Sequence, residues 1–169
     1  MRVEKKRLQQ EFTRWKSLSV DVRQKHSTSV NARPWTGRDT TRLRGVPDSR
    51  RQHDVIDVCF AVMAKRYPDK SFEDLAANLF CNISQGVDRL PSSFGMQTCA
   101  TSSAWYWYGR DAVLSGASHL KLLGWPQDCI PDEIFDDKAC RQLGGAGFSV
   151  PIAAMLTYFY WCNPHAPWW

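Results

Sequence analysis

Hydrophobic positions recur at helical spacing in several stretches of the chain. Leu8, Phe12 and Trp15 lie at i, i+4 and i+7 within residues 2–16, and basic residues fill much of the remainder, which predicts an amphipathic helix. Residues 17–51 lose that rhythm. They are rich in Ser, Thr and Arg and carry Pro34, Gly37, Gly45 and Pro47, so they read as a loop or linker. Periodicity returns with Val55, Cys59, Val62 and Met63, a stripe that should end before Tyr67-Pro68 because the residue ahead of a proline is disfavoured in the α region. Ser71, with Asp74 three residues on, reads as the N-cap of a helix carrying Leu75, Leu79 and Phe80. Leu79 to Ser84 is also readable as a short strand.

From Gln85 to Ser103 the chain is polar and irregular. Trp105-Tyr106-Trp107-Tyr108 then has strong strand propensity. Ser115 can cap a short helix carrying Leu120, Leu122 and Leu123, which Gly124 stops ahead of Pro126. Pro131 can open another helical piece ending at Gly144-Gly145, and Pro151 suits the first turn of a last helix that ends at Asn163-Pro164. The expected fold is mixed α+β and helix-dominated, with a small irregular β portion. The apolar stretch from Ala146 to Cys162 is shorter than the ~20 residues a membrane span requires. It also holds Ser149, Pro151 and Thr157, so it is expected to be a buried helix, with no membrane partner.

A length of 169 residues with 43% hydrophobic content is enough for one domain, or one domain with a tail, since domains commonly run about 100–200 residues. The net charge of +5 is unevenly spread. Residues 1–51 carry 14 Lys and Arg against 5 Asp and Glu, whereas residues 52–169 carry 8 against 12. The expected organisation is a basic, partly disordered arm over residues 1–50 and a mildly acidic body over residues 51–169. Such an arm suits a polyanionic partner, usually nucleic acid.

The six Cys, at 59, 81, 99, 129, 140 and 162, are widely spaced and form no CxxC, which argues against a zinc site. The charged opening MRVEKKRLQQEF lacks the apolar run of a signal peptide. The cysteines are therefore expected to be reduced and mostly buried in an intracellular protein, nuclear if eukaryotic. His26, His53, His119 and His165 are scattered. The acidic run Asp132, Glu133, Asp136 and Asp137 reads as a helix start and a solvated face.

Two segments carry a family likeness. His119 to Pro126 reads HLKLLGWP, and Ala139 to Ala154 reads ACRQLGGAGFSVPIAA. Their order and spacing resemble the last two motifs of DNA (cytosine-5) methyltransferases, in which a short helix ends in Gly-aromatic-Pro and a Gln-x-x-Gly segment leads into a closing helix. Gly124-Trp125-Pro126 matches the first. Gln142, Gly145, Gly147, Phe148, Ser149, Val150 and Pro151 match the second. Thr98 to Ser103 occupies the place of the Thr/Ser-rich piece of the target-recognition region, and Ile83 to Arg89 that of the loop before it. The resemblance covers roughly residues 80–162.

The resemblance implies a DNA-facing set of Gln85, Arg89, Thr101, Ser102 and Ser103. It places Gly145, Phe148 and Ser149 near S-adenosylmethionine, provided that a catalytic half is supplied by a partner chain. The sequence departs from the family at Ala146, where Asn is usual, at Ser118 in place of an acidic residue, and at Lys121 in place of Arg. The family's chemistry needs a Pro-Cys nucleophile, a Glu-Asn-Val segment and a Gly-rich loop after the first strand. None of the three occurs here. The expectation is a recognition-and-closing portion of such an enzyme, without methyl transfer of its own. A split subunit needing a catalytic partner, and a non-enzymatic DNA-binding or interaction module, remain as alternatives. Without the resemblance, the polar loop 84–103 has side chains able to contact phosphates or base edges, and the aromatics of 105–108 read as core ahead of base-stacking.

Overall fold

The structure, a computed structural model, describes residues 2–95, 102–126 and 136–146. These residues form a helix-rich α+β protein with five α-helices and one four-stranded antiparallel sheet. The chain divides into two compact units, the first drawn from residues 1–97 and 104–113, the second from 98–103 and 114–169.

The first unit is organised around α2 (Arg50–Arg66), on which Val55, Ile56, Val58, Cys59, Phe60, Val62 and Met63 are buried. Each large apolar side chain so buried contributes roughly 1.5–3 kcal/mol. The helix ends at Arg66, ahead of Tyr67-Pro68 as the sequence predicts. Ser71 caps α3 (Phe72–Asn78), its Oγ accepting the Asp74 N–H at 3.0 Å. The chain then becomes extended, so Leu79 and Phe80 belong to β1 (Leu79–Asn82) and not to the helix. Two further strands flank it, β2 (Ser92–Phe94) and β3 (Trp105–Trp107), and β4 (Ala112–Val113) completes the order β2-β1-β3-β4. Cys81 stands opposite Ser92 on one side and Tyr106 on the other. Both β2 and β4 fall where the sequence shows only irregular polar or mixed chain.

The aromatic run supplies core. Trp105, Tyr106 and Tyr108 are buried, while Trp107 is half-buried and stacked on Phe80. Tyr108 donates its hydroxyl hydrogen to the Ile56 carbonyl at 2.7 Å. Cys59 and Cys81 are buried thiols in this core, and Cys140 is buried in the second unit. Burial, and then the adjacent Cys59, push the Cys81 thiol well above its ordinary pKa. Cys99, Cys129 and Cys162 lie outside the described residues.

Residues 17–51 require a correction. The first helix, α1 (Arg2–Lys25), continues nine residues beyond the predicted end at 16, because Trp15, Leu18, Ser19 and Val22 carry its inward face onward. Residues 26–49 are irregular but are not a linker. Trp35 is 5% exposed, stacked on Phe72 and set edge-on to Tyr108. Its indole N–H donates to the Tyr106 hydroxyl at 2.6 Å. Asp57, on α2, accepts the backbone N–H groups of Trp35 and Thr36 at 2.9 Å each. Arg23 is buried, donating to the carbonyls of Ser29 and Ala32 and pairing with Asp54 at 2.8 Å. One tryptophan and a few buried polar bonds thus anchor a segment whose composition resembles that of a solvated chain.

The second unit contains α4 (Gly116–Leu122) and α5 (Asp137–Ala146). The predicted closing helix from Pro151, and the apolar stretch beyond Ala146, lie outside the described residues. Among the described residues no helix is long and apolar enough to cross a membrane.

Candidate functional site

The loop that follows β1 is shaped locally. Asn82 Oδ1 accepts from the Ser84 backbone N–H at 3.2 Å and from its hydroxyl at 2.6 Å. A 3-10 turn over Val87–Arg89 then pins the loop through buried Val87. This brings Gln85 and Arg89 together: Arg89 Nη1 donates to Gln85 Oε1 at 3.2 Å, with Arg89 exposed and Gln85 half-buried.

A third side chain joins them. Arg51, in the first turn of α2, donates to the carbonyls of Ser84 and Gln85 at 3.3 and 3.1 Å. In the sequence Arg51 is one of many cations in the basic region, and nothing in its neighbours marks it. Among the described residues no carboxylate pairs with Arg51 or Arg89. Each guanidinium has five donors, so both retain N–H groups for phosphate oxygens.

In the second unit, the Gly-aromatic-Pro motif has a structural cause. Ser115 Oγ accepts the Ser118 N–H and opens α4. At the other end Gly124 adopts φ 83°, its N–H donates to the Lys121 carbonyl, and the Trp125 N–H donates to the Leu120 carbonyl. This pair of bonds is a Schellman cap, which places a residue in the left-handed region where glycine is favoured. Asp136 immediately precedes α5, and its carboxylate accepts the Ala139 N–H at 2.6 Å, while Asp137 pairs with Arg141 at 2.8 Å. Asp132 and Glu133 lie outside the described residues.

The two helices meet closely at glycines. A Cβ on Gly116 would lie 2.5 Å from Cys140 Cβ and 2.8 Å from the Arg141 backbone nitrogen. One on Gly144 would lie 3.2 Å from His119 Cβ. The helix leading into Gly124-Trp125-Pro126 therefore packs directly on the helix bearing Gln142 to Gly145. His119 lies at this helix junction with zero exposure, and neither ring nitrogen has a hydrogen-bond partner among the described residues. Burial, reinforced by Arg141, lowers its pKa and favours the neutral ring.

The remaining sequence-predicted residues are dispersed. Ser102 is exposed and lines a cavity of about 400 Å³ with Asp137, Lys138, Arg141 and Gln142. Ser103 is buried, and Gly145 is a residue of α5. Thr101, Phe148 and Ser149 lie outside the described residues, as do Thr98, Gly147, Val150 and Pro151. The structure brings together Gln85 with Arg89 and Ser102 with Gln142. Comparison with family models, with curated proteins and with solved structures finds no match to this chain.

Proposed function

We propose that this chain is the DNA-recognition and pocket-closing portion of a DNA (cytosine-5) methyltransferase, a part that holds DNA and depends on a separate catalytic half for methyl transfer. One observation carries the reading. The Gly124-Trp125-Pro126 helix and the Gln142–Gly145 helix pack against each other across Gly116 and Gly144. The described start of the second motif, Gln142 to Gly145, thus packs beside the helix of the first. The exposed guanidinium groups of Arg51 and Arg89 over the Ser84–Arg89 loop add a phosphate-binding surface in a segment of the same resemblance.

The cofactor of that chemistry, S-adenosylmethionine, supplies the methyl group. The residues present do not make up a site for it. The sequence contains no Gly-rich loop following a strand and no Pro-Cys pair, and Gly145 belongs to helix α5 and not to a loop. Among the described residues, this chain's own contribution is to hold phosphates at Arg51 and Arg89 and to present Ser102 and Gln142 beside one cavity.

The reading is tested by methyl incorporation into cytosine-containing duplex DNA. Three samples are compared: the chain alone, a separate catalytic half bearing the Pro-Cys pair and the Gly-rich loop, and the two mixed. The expected result is no incorporation by the chain alone and incorporation by the mixture above that of the catalytic half. Incorporation by the chain alone, or a mixture no more active than the catalytic half, contradicts the proposal.

A further inference from the structure

The basic N-terminal region lies outside the methyltransferase likeness, and it encloses a large cavity of the first unit. About 750 Å³ in volume, the cavity lies among α1, the irregular segment after it and the start of α2. That volume is within the roughly 300–1,000 Å³ common for small-molecule sites.

Its chemistry is polarised. Asp54 and Asp57 are the carboxylates in its lining, and both are already engaged: Asp54 by Arg23 and the Ser19 hydroxyl, Asp57 by Thr36 and the backbone N–H of Trp35. Lys16, Arg33 and Arg50 also line the cavity, and among the described residues none of the three has an ion-pair partner. Arg50 and His53 lie in the first turns of α2, whose N-cap Ser49 makes no side-chain cap bond and whose first turn holds no acidic residue. The positive end of that 17-residue helix is therefore offset by no side chain of its own first turn.

Two donors on lining residues, Trp15 Nε1 and Arg23 Nε, are buried and have no hydrogen-bond partner among the described residues. The unpaired, exposed cations of the lining suit an acceptor-rich anion. The wall beside them is aromatic. Phe12 and Trp15 are in ring contact at 5.2 Å, and Phe12 is 39% exposed.

We propose that this cavity binds a nucleotide, its phosphate held by Lys16, Arg33 and Arg50 and its base laid against Phe12 and Trp15. Stacking on an aromatic face tolerates any base, while the cations select the phosphate. The nucleotide can come free from solution or as one unit of a single strand, and these two sources share the same chemistry. The site is independent of the methyltransferase reading, since it uses none of the residues from 80 to 162.

The test is calorimetric titration of the full chain with deoxyadenosine 5′-monophosphate, deoxyadenosine, inorganic phosphate and a short single-stranded oligodeoxynucleotide. Binding of the monophosphate is expected, with deoxyadenosine and phosphate each weaker by about tenfold or more, equivalent to about 1.4 kcal/mol. The double variant Arg33→Ala/Arg50→Ala changes exposed side chains that form no ion pair among the described residues, and should lower monophosphate affinity about tenfold with circular dichroism unchanged. Phe12→Ala should weaken the monophosphate and leave inorganic phosphate unaffected. Arg89→Ala should leave monophosphate binding intact, which separates this site from the loop after β1. Competition by the oligonucleotide identifies a strand as the source, and monophosphate binding without competition identifies the free nucleotide. Absence of monophosphate binding at millimolar concentration, or affinity unchanged in the double variant, overturns the proposal.

Discussion

Replacing Trp35 with alanine tests whether the segment between α1 and α2 is structural. Trp35 is 5% exposed and lies 5.2 Å from the Phe60 ring, 5.6 Å from Phe72 and 4.9 Å from Tyr108. A tryptophan so placed removes about 200 Å² from water, worth about 5 kcal/mol at roughly 25 cal/mol per Å². The alanine retains part of that, but the cavity left behind adds a cost, and Trp→Ala in cores costs about 3–5 kcal/mol. Removing the indole donor to Tyr106 contributes about 1 kcal/mol more. The expected destabilisation is about 5 kcal/mol, a large fraction of the roughly 5–15 kcal/mol of a typical domain.

Urea unfolding followed by circular dichroism measures it, with Trp35→Phe as a companion expected to be destabilised by about 2 kcal/mol because it keeps an aromatic ring in place. If Trp35→Ala is too unstable to titrate, the phenylalanine variant still reports. A destabilisation below about 1 kcal/mol for Trp35→Ala, the range of an ordinary surface change, would refute the packing described.

Three further outcomes concern the second unit. Gly116→Ala places a Cβ against Cys140 Cβ and the Arg141 backbone and should cost about 1–3 kcal/mol through overpacking, read as faster amide exchange across α4 and α5. Gly124→Ala forces a side chain into a φ of 83° and should cost about 1 kcal/mol, read as faster exchange at the amides of Gly124 and Trp125. His119 has a folded-state pKa below its ordinary value of 6.5, so the unfolded chain binds the proton more readily. Stability of the helix pair is therefore complete above about pH 6.5 and declines as pH falls below it. His119→Leu should flatten that decline, and an unchanged pH profile in the variant would show that His119 is not the titrating group.

Some elements can be read from the sequence because single residues announce them. Ser71 and Ser115 cap their helices, Pro68 marks the end of α2, and Gly124 stops α4 in a left-handed cap. The segment 17–51 is not legible in the same way, because what holds it is sparse and polar. Trp35 is one aromatic among Ser, Thr and Arg, and Arg23 and Asp57 look solvated until their partners, 31 and 22 residues away, are known. Strands β2 and β4 have three and two residues, too short for alternation to show. At the candidate site, Gln85 and Arg89 are marked by the family likeness, whereas no sequence signal marks Arg51. It reaches the loop from a helix position 33 residues earlier in the chain.

The claim that this chain holds DNA is most directly tested by fluorescence anisotropy of a labelled duplex, titrated with the full chain and with Arg51→Ala/Arg89→Ala across a series of salt concentrations. Each phosphate that is no longer neutralised should reduce the slope of log affinity against log salt by about 0.9. The predicted result is salt-dependent binding by the parent chain, weakened in the double variant with a slope shallower by between one and two such units. Absence of duplex binding, or a double variant with unchanged affinity and slope, would contradict the account.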